Sequence, residues 1–370
     1  MKIRQTIGVC RYVYNLYLAY NQTNYQSGGR FVTANEFAKW LNHEYLPNNP
    51  DKAWIKDVSS KSVKQAIVNA QTAYKRFFNK QSGFPKWKKR RDQDMKMYFV
   101  KTNAKTVIRC ERHRINIPTL GYVRLKEYGY LPQNGCIRSG TISEKAGRFY
   151  VTVLLDEGIT VNSNSNKTQG IGVDLGVNTF ATVSNGITFE KINQKQRIRQ
   201  LEKKLRRAQR RLSRQYEHKK LRRERLTEHS ANIERNVLRV QKLYQALQRK
   251  RMEYVRYVVI VLAKTKPEFI TIEDLNISGM MKNRHISKAI AKQNFYYFRT
   301  WLLYVCRKWD IEIRIADRFY PSSKLCWQCG SIRKDLTLRD RVYKCTCGNV
   351  IDRDLQAAIN LERCSDYKIA

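Results

Sequence analysis

The chain is short of acid. Its 370 residues include 31 Asp and Glu against 72 Lys and Arg, a formal charge of +41 at pH 7. Such a chain repels itself unless a polyanion neutralises it. Nucleic acid is the expected partner, through many phosphate contacts and with steep salt dependence; an acidic membrane surface is the other reading. Long apolar runs are missing as well. No stretch reaches the roughly 18 apolar residues of a spanning helix. The opening MKIRQTIGVCRYVYN has neither an apolar signal core nor a cleavage site, so the expected location is the cytoplasm. There is no internal repeat. Nor is there an even cysteine count: nine cysteines cannot all pair, and the chain is long for a disulfide scaffold. Cys326, Cys329, Cys345 and Cys347 cluster as candidate metal ligands. Cys10, Cys110, Cys136, Cys306 and Cys364 are scattered and read as small buried hydrophobes.

What is present has a clear order. Residues 1 to about 90 carry helical periodicity. Val9, Tyr12, Val13, Leu16 and Tyr20 share one face. Thr33 and Glu36 form a capping box for the next helix. A long helix then places Val63, Ile67, Ala70 and Tyr74 on its apolar side and Lys61, Lys64, Gln65 and Lys75 on its polar side. The chain breaks at the basic, aromatic GFPKWKKRRDQ. From 95 to about 160 the period changes to two (MKMYFVKT, TVIRCER, RINIPTL, YVRLKEY, IRSGTISEK, RFYVTVLLDE), which predicts a β domain, a small barrel. VNSNSNKTQG reads as a linker. After Gly170, strands and helices alternate, an α/β pattern. A helical region from Glu190 to about Lys264 begins with 16 Lys and Arg against 3 Glu over residues 191–226. That imbalance suits a nucleic-acid face better than a solvated helix.

Three acids sit at the ends of apolar elements: Asp174 in I-G-V-D-L-G, Glu273 in F-I-T-I-E-D-L and Asp354 in D-R-D-L-Q-A-A. An apolar strand is a costly place for an unpartnered carboxylate. Gathered together, three carboxylates raise one another's pKa unless divalent cations intervene. Two Mg²⁺ about 4 Å apart could then activate water and stabilise the leaving oxygen of a phosphodiester. G-x-D-x-G alone also resembles the first phosphate loop of actin-like ATPases, but no second phosphate motif accompanies it. Taken singly, Asp174 also reads as a turn residue and Glu273 as a solvated strand end. C-W-Q-C-G followed by C-T-C-G reads as two knuckles of a ribbon around one structural Zn²⁺, with glycines where positive φ is needed. The one-residue gap in C-T-C is tighter than usual, and four free thiols are the other reading. In the last helix Asp354, Ala357, Ala358 and Leu361 share one small apolar face. Asp352 lies about 200° away at the 100° per residue of a helix and is expected to be the N-cap.

G-I-G-V-D-L-G-V-N-T-F-A-T, I-T-I-E-D-L-N-I-S-G-M, D-R-F-Y-P-S-S-K-L-C-W-Q-C-G and C-G-N-V-I-D-R-D-L-Q-A-A-I-N-L together closely resemble the TnpB family. Its members are encoded by insertion sequences and related to compact type V CRISPR effectors. The resemblance extends upstream to G-V-C-R-Y-V-Y-N and G-F-P-K-W-K. It implies a multidomain α+β protein: a helical recognition lobe over 1–92, a β-barrel wedge domain over 93–160 and a linker over 161–169. A RuvC-type nuclease domain of RNase H-like α/β fold follows over 170–370, with a basic helical insertion at 190–265 and a zinc ribbon at 320–350. It implies an RNA-guided DNA endonuclease that binds a guide RNA from its transposon end, reads a short target-adjacent motif and cuts double-stranded DNA at one Mg²⁺-dependent site. The alternatives are a nuclease-inactive guided regulator and a transposase of the same superfamily. Carried over, Asp174, Glu273 and Asp354 are the catalytic triad holding two Mg²⁺, and Cys326, Cys329, Cys345 and Cys347 hold one Zn²⁺. Lys61 and Gln65 are candidates for the target-adjacent motif, since Gln pairs with adenine and Lys with guanine in the major groove. Lys86, Lys88, Lys89, Arg90, Arg206, Arg207, Arg210 and Arg211 are further nucleic-acid candidates. The expected setting is the bacterial cytoplasm, on the nucleoid, with one or two copies on one guide RNA and no membrane. The family pattern begins with a short strand before the first helix, whereas this chain starts almost at that helix. Either its start is trimmed or the barrel lacks its first strand.

Overall fold

A computed structural model describes residues 2–101, 108–133, 135–156, 167–221, 230–337 and 340–370. Most of the linker expected at 161–169, part of the strand expected near 106–112 and the stretch 222–229 of the basic region lie outside the described residues. The chain forms two compact units, Met1–Gly158 and Ile159–Ala370.

In the first unit, α1 (Lys2–Gln26) and α2 (Ala34–Trp40) lead through a π turn (Leu41–Tyr45), a short α3 (Leu46–Asn48) and a 3-10 segment (Pro50–Asp57) to α4 (Ser60–Phe78). The Thr33–Glu36 capping box is formed in both directions. The α4 face carrying Val63, Ile67, Ala70 and Tyr74 is buried. The buried face of α1 is wider than the expected stripe. It adds Cys10, Tyr14, Tyr17 and Leu18, while Tyr12, Leu16 and Tyr20 pack at its margin. Tyr17 can enter the core because its ring packs on Phe37 and its hydroxyl donates to the Val32 carbonyl at 2.7 Å. A buried polar tip is tolerated when it is bonded. The strands are β1 (Lys96–Val100), β2 (Arg114–Ile117), β3 (Gly121–Arg124), β4 (Ile137–Lys145) and β5 (Arg148–Leu155). The barrel expected over 93–160 is not closed: among the described residues the strands make an open sheet, β1-β4-β5, and a separate β2-β3 hairpin. Ile115 and Ile117 of β2 are buried in the same core and Val123 of β3 packs against it, but among the described residues no strand ladder joins the hairpin to the sheet.

The second unit contains β6 (Ile171–Leu175), β7 (Thr179–Val183), β8 (Thr188–Glu190), α5 (Gln196–Leu221), α6 (Ala231–Lys264) and β9 (Phe269–Glu273). It continues with α7 (Ile277–Lys282), α8 (Ser287–Gln293), α9 (Phe295–Trp309), β10 (Glu312–Ala316), β11 (Val342–Lys344), β12 (Val350–Asp352), α10 (Arg353–Glu362) and β13 (Tyr367–Ile369). Six strands form one sheet in the order β13-β10-β9-β6-β7-β8. β6, β9 and β10 run parallel, and β7, β8 and β13 complete the sheet antiparallel. Side chains alternate across a strand. Ile171 and Val173 of β6 and Ile270 and Ile272 of β9 join the core with α6 and α9. Gly172 and Asp174, with Thr271 and Glu273, therefore face the other side, where α10 packs. A β-carbon on Gly172 would come within 2.0 Å of the Ala358 carbonyl of α10, so only glycine admits the helix this close. No described helix is long and apolar enough to cross a membrane.

Candidate active site and cysteine cluster

Asp174 is the penultimate residue of β6 and Glu273 the last of β9. The parallel register pairs Val173 with Ile272, so the two carboxylates leave neighbouring strands at the same level and on the same face. Asp354 arrives from the first turn of α10. Its helix is started by Asp352, whose carboxylate accepts from the Asp354 and Leu355 N–H groups at 2.9 and 3.0 Å. Ala357, Ala358 and Leu361 are buried on the same side as Asp354. Local capping and a small-residue face thus carry the third acid to the first two.

The electrostatics register their proximity. Burial pushes the Asp174 carboxyl well above the usual range, and the charges of Glu273 and Asp354 push it further. Glu273 is also raised by burial, and Asp354 adds to this; a hydrogen bond from Ser322 to Glu273 Oε1 at 2.5 Å works against it. Arg353 donates to Asp354 at 3.2 Å, and Arg341 lies at 3.9 Å from the other oxygen. The Arg353 Nε is buried without a partner. Asp174 and Glu273, half-buried on adjacent strands, with Asp354 near enough to act on both, offer oxygen ligands of the kind Mg²⁺ takes. Sequence reasoning missed Ser322, Arg341 and Arg353. The Arg between Asp352 and Asp354 was a signal for Arg353, whereas Ser322 and Arg341 are brought in only by the fold.

The four cysteine sulfurs of Cys326, Cys329, Cys345 and Cys347 lie within 4.8 Å of one another. Cys326 and Cys347 are 3.7 Å apart, Cys329 and Cys345 3.5 Å. Tetrahedral Zn–S bonds of about 2.3 Å imply S···S separations of about 3.8 Å, so the cluster fits a structural zinc site. Gly330 and Gly348 have φ of +74° and +93°, the turn geometry read from the sequence. The C-x-C spacing is met by a turn in which Gly348 N–H donates to the Cys345 carbonyl at 3.1 Å and Cys345 N–H to the Asn349 carbonyl at 2.9 Å. Hydrogen bonds from the Cys347 backbone and the Ser331 hydroxyl draw the Cys345 thiol down to about 6. At Cys347 a hydrogen bond from the Asn349 backbone is outweighed by burial and the neighbouring cysteines, which push the thiol up to about 12. In the metal-free cluster the thiolate that zinc needs is therefore favoured at Cys345 and not at Cys347. The cluster is tied to α10. Asn349 donates to Gln356 at 3.1 Å, Gln356 to the Leu325 carbonyl, and Asn360 to the Ser322 carbonyl at 2.7 Å.

The basic candidates divide. Arg206, Arg207, Arg210 and Arg211 are exposed on α5 and form no ion pair among the described residues. Arg206 and Arg210 line a groove with Arg214 and Ser213. Glu202 faces inward instead, bonded to Arg251 and Lys292 at 2.7 and 2.8 Å. Lys61, Lys86, Lys89 and Arg90 are exposed. Gln65 is half-buried and donates to Asn69 at 3.0 Å. Lys88 is a pin: its backbone exchanges two hydrogen bonds with the Asn15 side chain, and its ammonium lies 3.3 Å from Asp94 and 5.7 Å from the Tyr14 ring centre.

A multidomain α+β fold with this acid site and this cysteine cluster defines the class. Residues 295–361 match a family described as "Cas12f1-like, TNB domain", residues 156–284 one described as "Probable transposase", and residues 1–30 a "Helix-turn-helix domain". An Escherichia coli (strain K12) protein named "Putative RNA-guided DNA endonuclease InsQ" is 27% identical, covering 93% of this chain and 83% of its own. A Streptomyces pristinaespiralis "Putative RNA-guided DNA endonuclease" is 27% identical, covering 97% and 84%. The fold is similar to that in "Cryo-EM structure of the Cas12f1-sgRNA-target DNA complex", with a TM-score of 0.62, 13% identity and coverage of 99% of this chain and 82% of that one. These matches support the resemblance to the TnpB family that the sequence motifs carry.

Proposed function

We propose that the chain is an RNA-guided DNA endonuclease. The observation that carries this is the meeting of Asp174, Glu273 and Asp354 on one face of a mixed sheet, in a chain whose charge of +41 demands a polyanion. Three antiparallel strands followed by two parallel ones are the RNase H-like arrangement that the family resemblance implies. The relatives that span most of the chain are named endonucleases, which disfavours a transposase. The presence of all three acids disfavours an inactive regulator.

Asp174, Glu273 and Asp354 are the Mg²⁺ ligands in this reading. The bound ions supply a nucleophilic hydroxide near neutral pH and charge stabilisation for the leaving oxygen. The protein's part is positional. Ser322 holds one Glu273 oxygen, Asp352 aims Asp354, and Arg341 and Arg353 offset charge at Asp354. One Zn²⁺ on the four cysteines is structural, because four thiolates leave no open coordination position. Residues 1–92 act as recognition lobe, 93–160 as wedge and 170–370 as nuclease domain. Lys61 and Gln65 contact the target-adjacent motif. The guide RNA and the target duplex are bound by exposed cations that include Lys86, Lys89, Arg90, Arg206, Arg207, Arg210 and Arg211.

The test is to purify the protein with its bound RNA, sequence that RNA and offer matching duplex DNA with Mg²⁺. A transposon-end RNA with a variable 3′ segment is expected, with metal-dependent cutting that Asp174→Ala abolishes. Preparations free of RNA would refute guidance, and undiminished cutting by the variant would refute the site.

A further inference from the structure

The loop after β10 is fastened at nearly every residue. The Asp317 carboxylate accepts from the Phe319 N–H at 2.8 Å, and the Asp317 carbonyl accepts from the Tyr320 N–H at 3.1 Å. Arg318 donates to Asp274 Oδ2 at 2.6 Å, and Arg299 donates to the other oxygen at 3.0 Å. Tyr320 donates its hydroxyl to the Asn360 carbonyl of α10 at 3.1 Å. Ser322 holds Glu273.

The exception is the Phe319 ring. It is 87% exposed, the most exposed of the large apolar side chains among the described residues, and it makes no ring contact there. A loose loop would let such a ring fold back onto apolar surface; this loop is bonded on both sides and holds it out. The ring borders a cleft of about 400 Å³ also lined by Glu273, Arg318, Ser322 and Lys324. A rigid aromatic face, a clamped guanidinium, a lysine and a carboxylate of the acid site thus share one cleft.

We propose that Phe319 is a stacking platform for one nucleobase of a single strand entering the acid site, with Arg318 and Lys324 meeting the adjoining phosphates. This rests on the nuclease reading above. Bases stack on exposed aromatic rings without regard to sequence. A base inside a duplex has both faces covered by its neighbours, so this platform selects strand that has left the helix. Asp274 is the positioning residue: its two guanidinium bonds fix the direction of Arg318 and with it the stem of Phe319.

The test uses the full chain with its guide RNA and a target strand carrying 5-iodouracil at successive positions near the cut. In the Asp174→Ala background, irradiation should cross-link one position to Phe319, as mapped by mass spectrometry, and Phe319→Ala should remove that cross-link. In the cutting-competent protein, Phe319→Ala should slow cleavage about 10-fold, within the usual worth of one base–aromatic stack, while Phe319→Trp keeps the rate. An abasic nucleotide at the cross-linked position should slow the parent protein but leave Phe319→Ala unchanged. Cross-linking that persists in Phe319→Ala, or equal abasic sensitivity in both proteins, overturns the platform. The cross-link does not depend on turnover, so failure of cutting with the cross-link intact strikes the nuclease reading alone. A change in oligomeric state on Phe319→Ala without loss of cutting would assign the ring to a second copy and overturn the proposal.

Discussion

The two candidate metal sites of the second unit are assembled in opposite ways. The cysteine cluster draws all its ligands from residues 326–347, within one loop and a short hairpin. Two tight turns bring the sulfurs together, and thiolate character is prepared locally at Cys345. The acid site takes its ligands from the ends of β6 and β9 and the start of α10, positions separated by 99 and 81 residues (273 − 174 and 354 − 273). It exists only when the sheet is registered and α10 is seated against Gly172. The first kind of site tolerates drift elsewhere in the fold; the second transmits every displacement of α10 to its chemistry. The two are also linked, since Asn349, Gln356 and Asn360 bond the cysteine loop to the helix that carries Asp354.

The contrast can be pressed experimentally. Asp174→Ala should have the largest effect on activity. A metal ligand is worth several kcal/mol of transition-state stabilisation, so cleavage should fall about 10³-fold or more while guide-RNA affinity holds. Single-turnover rates beside RNA titrations check it. Cys326→Ser should instead act through folding. Bound zinc per chain should drop, the melting temperature should fall, and cutting should be lost because the loop no longer anchors α10. Metal analysis, calorimetry and cleavage on one preparation decide this; a variant that loses zinc yet cuts normally would uncouple the two sites.

Gly172→Ala should separate them in the other direction. The added carbon collides with the α10 backbone, costing about 1–3 kcal/mol by overpacking. A shift of about 1 Å in Asp354 would cost on the order of 10²-fold in rate, while zinc content and RNA binding stay normal. Asp352→Ala removes only the N-cap. It should cost about 1 kcal/mol in stability and a smaller part of the rate, measured by melting temperature and initial rates.

The difference in assembly also governs what the sequence disclosed. C-W-Q-C-G and C-T-C-G named the cysteine ligands because spacing and glycines are local facts. The Asp352 cap and the place of Asp354 on the small-residue face of α10 were legible because capping and helical period are local too. The three acids were visible as carboxylates in apolar strands, but their meeting depends on register and on Gly172, which no periodicity reveals. Ser322 lies 49 residues from Glu273, and Arg341 reaches Asp354 only across the β11-β12 hairpin. Strands β1 to β5 were legible in the period-two pattern, yet the described part of TVIRCER holds only an isolated bridge at Cys110, and closure into a barrel was not met among the described residues, because closure depends on non-local pairing. Lys88 looked like one more basic-loop cation; only the fold reveals Asn15 and Asp94 beside it.

The smallest effect comes from pH, and it should run in opposite directions at the two sites. The Asp174 and Glu273 carboxyls are raised by burial first and by their acidic neighbours next. The metal-free fold therefore favours their protonated forms. Their contribution to stability is complete below the ordinary carboxylate range near about 4 and is lost as pH rises through the raised values. Zinc retention by the cysteines strengthens over the same rise, because the ligands must be thiolates. With Zn²⁺ kept and Mg²⁺ withheld, melting temperature should fall more steeply from pH 5 to pH 8 in the parent protein than in Asp174→Asn, which cannot ionise. Mg²⁺ should restore the parent more at pH 8 than at pH 5 and leave Asp174→Asn little changed. Equal slopes in the two proteins would mean that Asp174 ionises without strain, and the acid site would then need no cation to hold its three carboxylates together.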